Sequence, residues 1–429
     1  MGKLMSLTRR EFFVSAVAAA TQAAAFPGLA LGLDPRSSIA TSEMGSSAEF
    51  ALPPGTPILV DSAEAEPIHA AIQDLQRDLQ KVIGAKSEIV SRSSEIATRA
   101  AIVVTCKGPE TARFRTPSLA DAESHELRAE GNHSTPRIVL QGSDMRGTIY
   151  AIYEFSKAYL NVPPLWYWSS WQPQQISHIA FPASLKMRFA APEMRYRVWF
   201  PNDEDMLASW MKLSTDNFKA LFETLLRLKY NTLNVSTISE YGGIPNKGLR
   251  WARECKRRGI IVTFTHHAPF GADIGDWKNY WPQVIGGTPP ELEFSTTGEL
   301  TPMLISKLEE FWKYYIRLAQ REGFEVIETI VFRGHFDHPY WNVFRNAPTG
   351  DRARGNYQSG IAHSGRAIEK HMGSARESAS CDADHFLLRS CGFHGERTPA
   401  SARGSGPDME LLEPTARSCA RCGHSALSI

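Results

Sequence analysis

Arg197-Val198-Trp199-Phe200-Pro201-Asn202-Asp203-Glu204 is the first of four β-rich runs that stop abruptly at polar or ionisable residues. The others are Thr232-Leu233-Asn234-Val235-Ser236-Thr237, Ile261-Val262-Thr263-Phe264-Thr265-His266-His267 and Ile330-Val331-Phe332-Arg333-Gly334-His335-Phe336-Asp337. Helical patterns separate them. Phe218, Leu221, Phe222, Leu225 and Leu226 make an i, i+3, i+4, i+7, i+8 stripe behind a Ser214-Thr215-Asp216 cap. Residues 246–258 predict a second helix ended by Gly259. Leu304, Leu308, Phe311, Trp312, Tyr315 and Leu318 stripe a third, ended by Gly323. Strands alternating with helices predict a parallel sheet or a (β/α) barrel, whose chemistry sits where strands end and βα-loops begin. Asp203, Glu204, His266, His267, Arg333 and Asp337 all fall at such ends. Four βα steps are half of a closed eight-stranded barrel.

Length and composition bound the rest. A chain of 429 residues suggests two or three domains. A net charge of +1, from nearly balanced acids and bases, argues against a nucleic-acid partner. No internal stretch reaches the apolar length of a membrane span. Residues 1–32 have the pattern of an export signal: Lys3, Arg9 and Arg10, an alanine-rich apolar run from Phe12 to Phe26, and a small-residue cleavage site at Ala30-Leu31-Gly32. Thr8-Arg9-Arg10-Glu11-Phe12-Phe13 is similar to the bacterial twin-arginine motif, which implies a periplasmic or secreted protein with no membrane contact after cleavage. Residues 33–52 read as a Ser-, Ala- and Pro-rich linker.

Residues 53–190 read as a small α/β domain, with strands at 57–60, 86–90, 101–105 and 137–141 and helices at 68–83 and 145–160. Residues 191–350 read as the first half of a barrel. The expected fold is therefore α/β: a small N-terminal α/β sandwich followed by an incomplete TIM-like (β/α) barrel, with a largely disordered C-terminal tail. Residues 351–429 contain no Val, no Trp and one Lys against nine Arg, and hold Cys381, Cys391, Cys419 and Cys422. That composition suggests a disordered tail or an out-of-frame product with the native C-terminal part missing. Sequencing the locus across codons 340–360 separates the two.

Six segments in order resemble glycoside hydrolase family 115, the xylan α-1,2-glucuronidases. They are Gly142-Ser143-Asp144-Met145-Arg146-Gly147-Thr148-Ile149-Tyr150-Ala151-Ile152-Tyr153-Glu154-Phe155-Ser156, Pro164-Leu165-Trp166-Tyr167-Trp168, Asn202-Asp203-Glu204, Phe222 to Lys229, His266-His267-Ala268-Pro269 and Arg333-Gly334 to Asp337. The resemblance spans roughly residues 50–350. It implies removal of glucuronic acid or its 4-O-methyl ether from a glucuronoxylan-type polysaccharide with inversion, without a cofactor or metal, by a family whose full-length members can be homodimers. Inversion needs an acid for the leaving oxygen and a base for a water, with carboxyls about 6.5–9.5 Å apart. The uronate needs a cation, and a guanidinium fork suits it. The resemblance thus marks Asp337 and Asp203 as catalytic candidates, and Arg333, His266, His267 and Glu204 as substrate-binding candidates. Blander roles compete: Asp203 and Glu204 as turn caps, His266 and His267 as packed histidines, Arg333–Asp337 as a structural ion pair.

The chain departs from the family at Ala268, where a Glu usually follows the paired histidines, and at the polar end of strand 232–237. A catalytic Glu and a binding Asn from later strands have no counterpart in residues 351–429. His335 and His338 beside Asp337, and Cys419-x-x-Cys422-x-His424, match no strong metal motif. Two other functions are open. A non-catalytic carbohydrate-binding protein would use Trp166, Tyr167, Trp168 and Trp171 against sugar faces. Another exo-glycosidase, such as a β-hexosaminidase, would use an adjacent pair like Asp203-Glu204, here placed on too early a strand.

Overall fold

The computed structural model describes residues 49–117, 119–201, 207, 210, 213–238, 247–265, 268–295, 298–330, 344–346 and 387–390. The first unit is built on a six-stranded mixed sheet in the order β3-β2-β4-β6-β5-β8. Its strands are β2 (Ile58–Val60), β3 (Ile89–Val90), β4 (Ala101–Thr105), β5 (His125–Asn132), β6 (Thr135–Gly142) and β8 (Lys186–Phe189). Strands β3, β2, β4 and β6 run parallel, whereas β5 is antiparallel to both neighbours. Helices α1 (Glu66–Ile83) and α2 (Met145–Tyr159) pack on one face with Ile58, Val60, Ile102, Val104, Ile138 and Leu140. The alternate residues Leu59, Val103 and Val139 form a smaller cluster with Phe114 on the other face. Burial on both faces explains why β4 reads as the unbroken apolar run Ala-Ile-Val-Val-Thr. Asp144 caps α2, its side chain accepting from the Gly147 N–H.

Two expectations change here. The segment 33–52 does not run as linker to its end, because β1 (Glu49–Leu52) pairs antiparallel with β7 (Ile179–Pro182) and buries Phe50 and Leu52. Strand β5 was not legible at all. Its sequence, His-Glu-Leu-Arg-Ala-Glu-Gly-Asn, carries charges that a strand interior normally excludes. The two buried ones, Glu126 and Arg128, are paired: Arg188 Nε lies 2.6 Å from Glu126, and Arg128 lies 2.7 Å from Glu130 and 3.2 Å from Gln141.

The second unit is a parallel sheet in the order β13-β12-β11-β10-β9. Its strands are β9 (Val198–Trp199), β10 (Thr232–Asn234), β11 (Ile261–Thr263), β12 (Val326–Ile330) and β13 (Leu387–Ser390). Helices α3 (Thr215–Arg227), α4 (Lys247–Arg258) and α5 (Pro302–Glu322) fall between them as the periodicity predicts. Ser214 caps α3 by accepting from the Asn217 N–H, and Gly323 ends α5 in the left-handed region at φ 68°. The sheet does not close into a barrel among the described residues. Within residues 351–429 the described segment is β13, which pairs in parallel with β12.

The two units meet through buried charge. Arg227 reaches Asp78 at 2.5 Å and Glu223 at 2.8 Å. Arg77 reaches Glu223 at 2.7 Å and Asp74 at 3.0 Å, and Arg258 also pairs with Asp74, which accepts from the Tyr153 hydroxyl at 2.7 Å. Three guanidiniums from α1, α3 and α4 thus balance three carboxylates. Burial alone would raise the Asp74 carboxyl, but Arg258, Arg77 and the hydrogen bonds from Arg258 and Tyr153 outweigh it and hold it below its ordinary value. A second set of contacts ties the entry ends of the strands to α2. Arg197 pairs with Glu123 and bonds Tyr150, Asn231 donates to Glu123 at 2.8 Å, and Arg146 donates to the Gly259 carbonyl at 2.8 Å. Because the N-terminal strand ends face the first unit, the C-terminal ends leave from the opposite edge.

Arg258→Ala removes one of the two guanidiniums that balance the buried Asp74 carboxylate, so it is expected to cost about 3–5 kcal/mol of unfolding free energy in urea. An unchanged midpoint would refute the role of the network. Asp74 sits below its unfolded value, so its contribution is present above that value and is lost as pH falls through the folded one. The stability gap between wild type and Asp74→Asn should therefore narrow on acidification. Glu328 gives the opposite sign. It is 3% exposed, its Oε2 has no partner, and burial pushes its carboxyl up to about 8. The folded state then holds a proton that the unfolded state releases, and stability falls as pH rises from about 4.5 to about 8. Denaturation across that range should show Glu328→Gln flattening the slope.

Candidate active site

The register of the parallel strands brings four chain exits to one edge. Trp199 aligns with Leu233, Leu233 with Val262, and Val262 with Val326. This row belongs to the apolar core shared with α3, α4 and α5. The alternate row, Thr232 and Asn234, Ile261 and Thr263, Ile327 and Thr329, faces the other way and is richer in polar groups. Glu328 shares the helix-facing row with Val326 and Ile330, so its carboxyl points away from the row that carries Thr329.

The exit of β11 is held from both sides. The Phe264 carbonyl, two residues before His266, accepts from Asn234 Nδ2 at 3.0 Å and from Thr329 Oγ1 at 3.0 Å. Thr329 Oγ1 also lies 3.5 Å from Thr263 Oγ1. One carbonyl just past β11 therefore receives donors from β10 and from β12. Asn234 Oδ1 accepts from the Ser236 N–H at 3.0 Å, beside a Ser236 backbone at φ 68°.

The loops after β10 and β11 are stitched together. Thr265 donates to the Ser236 carbonyl through both its N–H and its hydroxyl, each at 3.2 Å. Thr237 Oγ1 and the Ile238 N–H both donate to the Gly271 carbonyl, at 2.6 and 3.1 Å. Gly271 has φ 75°, and a Cβ there would stand 2.7 Å from Ile238 Cγ1 and 2.9 Å from Phe264 Cε1. Gly248, early in α4, is required for another reason: a Cβ would lie 1.4 Å from the Thr237 carbonyl oxygen.

Asp203, Glu204, His266, His267, Arg333 and Asp337 all lie outside the described residues. The structure describes what precedes each of them. Phe200 and Pro201 follow β9 before Asp203, with Pro201 buried. Thr265 and Ala268 flank the histidines, and the Ala268 N–H donates to the Thr265 carbonyl at 3.1 Å. Ala268 is fully buried. Ile330 ends β12 before Arg333. The candidates therefore follow β9, β11 and β12 of one parallel sheet. Sequence reasoning missed Asn234 and Thr329 as the groups that pin β11. An Asn and a Thr at matching depth on the two flanking strands were the available signal.

The aromatic cluster belongs to the join between the two units. Trp166 Nε1 donates to Glu223 at 3.2 Å, Trp168 Nε1 to Thr224 at 2.9 Å, and the Tyr167 hydroxyl to Asn217 at 3.1 Å, all on α3. Trp168 also lies against Trp210, with ring centroids 4.3 Å apart.

Residues 190–379 match glycosyl hydrolase family 115. The match runs past residue 351, where the sequence suggested that family resemblance stops. Among solved structures, the chain is similar to a family 115 4-O-methyl-α-glucuronidase with specificity for decorated arabinogalactans, at 19% identity and a TM-score of 0.56, covering 79% of this chain and 45% of that one. It also aligns with Flavobacterium johnsoniae chitobiase at 14% identity and a TM-score of 0.44, over 76% of this chain and 50% of that one. A Streptomyces plicatus β-hexosaminidase aligns at 13% identity and a TM-score of 0.44, over 81% of this chain and 67% of that one. Comparison with curated proteins finds no match. The chain thus spans less than half the length of the glucuronidase whose fold it shares. The family 115 likeness thus covers residues 190–379, less than half of the chain, and the likeness to the glucuronidase is one of fold.

Proposed function

We propose that the chain is an exported α-glucuronidase-type glycoside hydrolase that removes glucuronic acid or its 4-O-methyl ether from a glucuronoxylan-type polysaccharide. The observation that carries this reading is the family match lying over a parallel sheet whose strands β9, β11 and β12 precede the six candidate residues in the sequence. Asp337 acts as the acid on the leaving oxygen, and Asp203 is the carboxylate available as base. Arg333 pairs with the sugar carboxylate in a charge-assisted fork. His266, His267 and Glu204 bind the sugar hydroxyls. The twin-arginine segment at residues 8–13 delivers the enzyme to the polysaccharide outside the cytoplasm.

Distance sets the expected rate. Neighbouring strands lie about 4.8 Å apart, so β9 and β12, three gaps apart, are separated by roughly 14 Å along the sheet. An inverting pair needs about 6.5–9.5 Å. Asp203 and Asp337 meet that spacing only if their loops reach inward, so turnover by this chain alone is expected to be slow. At high protein concentration, Asp337→Asn should lower release of uronic acid from aldouronic acids by about 10²–10⁴-fold. Arg333→Ala should act mainly through KM. Product detection by NMR tests both, and equal release by wild type and Asp337→Asn would refute the assignment.

A further inference from the structure

We propose that the groove between α1, α3 and the Trp166–Trp171 segment is an accessory binding site for an acidic oligosaccharide, separate from the strand-end site. The cavity holds about 680 Å³, within the range of about 300–1,000 Å³ usual for small-molecule sites. Among the described residues, helices α1, α3 and α4 and the aromatic segment line it. Five cations and three carboxylates face it.

The carboxylates Asp74 and Glu223 are already neutralised by the buried arginines. Lys81 and Lys219 have no carboxylate partner among the described residues. Lys81 Nζ stands 3.9 Å from the centre of the Trp166 ring, and burial together with the neighbouring Arg77 charge pushes its amine below the ordinary value. Such a cation gains from an anion that restores its charge balance. Arg77 lines the groove with a side chain 36% exposed, its terminal nitrogens held by Asp74 and Glu223.

The aromatic component is independent of the charge. Trp171 meets Trp166 edge to face at 6.1 Å and 68°, so the two rings form a corner rather than a closed stack. The indole nitrogens of Trp166 and Trp168 are committed to α3, but that of Trp171 bonds nothing among the described residues. A sugar presents an apolar face to an indole and a uronate presents a carboxylate to lysine or arginine, so a uronate-bearing oligosaccharide satisfies both halves of the groove. The choice of uronate rests on the α-glucuronidase reading.

The test is titration of the full chain, followed by tryptophan fluorescence and calorimetry, with glucuronic-acid-decorated and with undecorated xylo-oligosaccharides. The decorated ligand should bind about tenfold or more tightly than the undecorated one. Trp171→Ala and Lys81→Gln should each weaken binding about tenfold with an unchanged thermal midpoint. The exposed Lys219→Ala serves as a second probe if either variant folds poorly. Asp337→Asn should leave this affinity untouched. Absent binding, equal affinity for both ligands, or full affinity in Trp171→Ala and Lys81→Gln would overturn the site, as would loss confined to Asp337→Asn. Binding that needs Trp171 in a chain releasing no uronic acid would keep this site and overturn the hydrolase reading instead.

Discussion

The seating of the parallel sheet and its helices on the first unit depends on charge buried between helices. Asp74, Asp78 and Glu223 sit at 4%, 1% and 2% exposure, and Arg227 and Arg258 at 6% and 3%. Each ion alone would cost several kcal/mol to bury, so the arrangement persists only with every partner in place. The partners come from α1 in the first unit and from α3 and α4 in the second. Neither unit can therefore shift against the other without exposing an uncompensated charge. Trp166 adds to this constraint, because its indole N–H donates to Glu223, a carboxylate that also accepts from Arg77 and Arg227. The aromatic segment between the units is held by the same group that balances the arginines.

That constraint fixes which edge of the parallel sheet is available for chemistry. Contacts of Arg197, Asn231 and Gly259 with Glu123 and α2 occupy the edge where the strands begin. The C-terminal ends of the strands lie on the other edge, where the chemistry of (β/α) folds generally sits. The pinning of β11 then follows from the sheet itself. Asn234 and Thr329 lie on the row opposite the helix-packed core, at a depth where both reach the Phe264 carbonyl. They set the direction in which the chain departs toward His266.

Periodicity made the helices legible. The apolar stripe of α3, the Ser214 cap and the terminating Gly259 and Gly323 are local signals with local causes, and the structure shows each of them. The strands were legible as places but not as extents. The run 232–237 narrows to Thr232–Asn234, because Asn234 turns its side chain onto the Ser236 N–H and Ser236 takes φ 68°. Strand β5 escaped because its fully buried charge, Glu126, is satisfied by a residue distant in sequence, Arg188. The site was legible as a set of strand ends, while the groups that hold those ends were not, since Asn234 and Thr329 reveal their role only when β10, β11 and β12 are neighbours.

The aromatic segment shows how one stretch of sequence can serve two purposes. A run of Trp, Tyr and Trp reads equally as a sugar platform or as packing, and composition cannot separate the two. Hydrogen bonds can. Tyr167 and Trp168 each spend their polar atom on α3, and Trp168 lies against Trp210, so both act in packing. Trp171 has no such tie among the described residues and borders a cavity beside Lys81 and Lys219, which have no carboxylate partner among them. Packing is therefore the role of one end of the segment, while the other end keeps the geometry of a binding surface. The buried arginines support both, because neutralising Asp74 and Glu223 leaves the groove with an excess of positive charge.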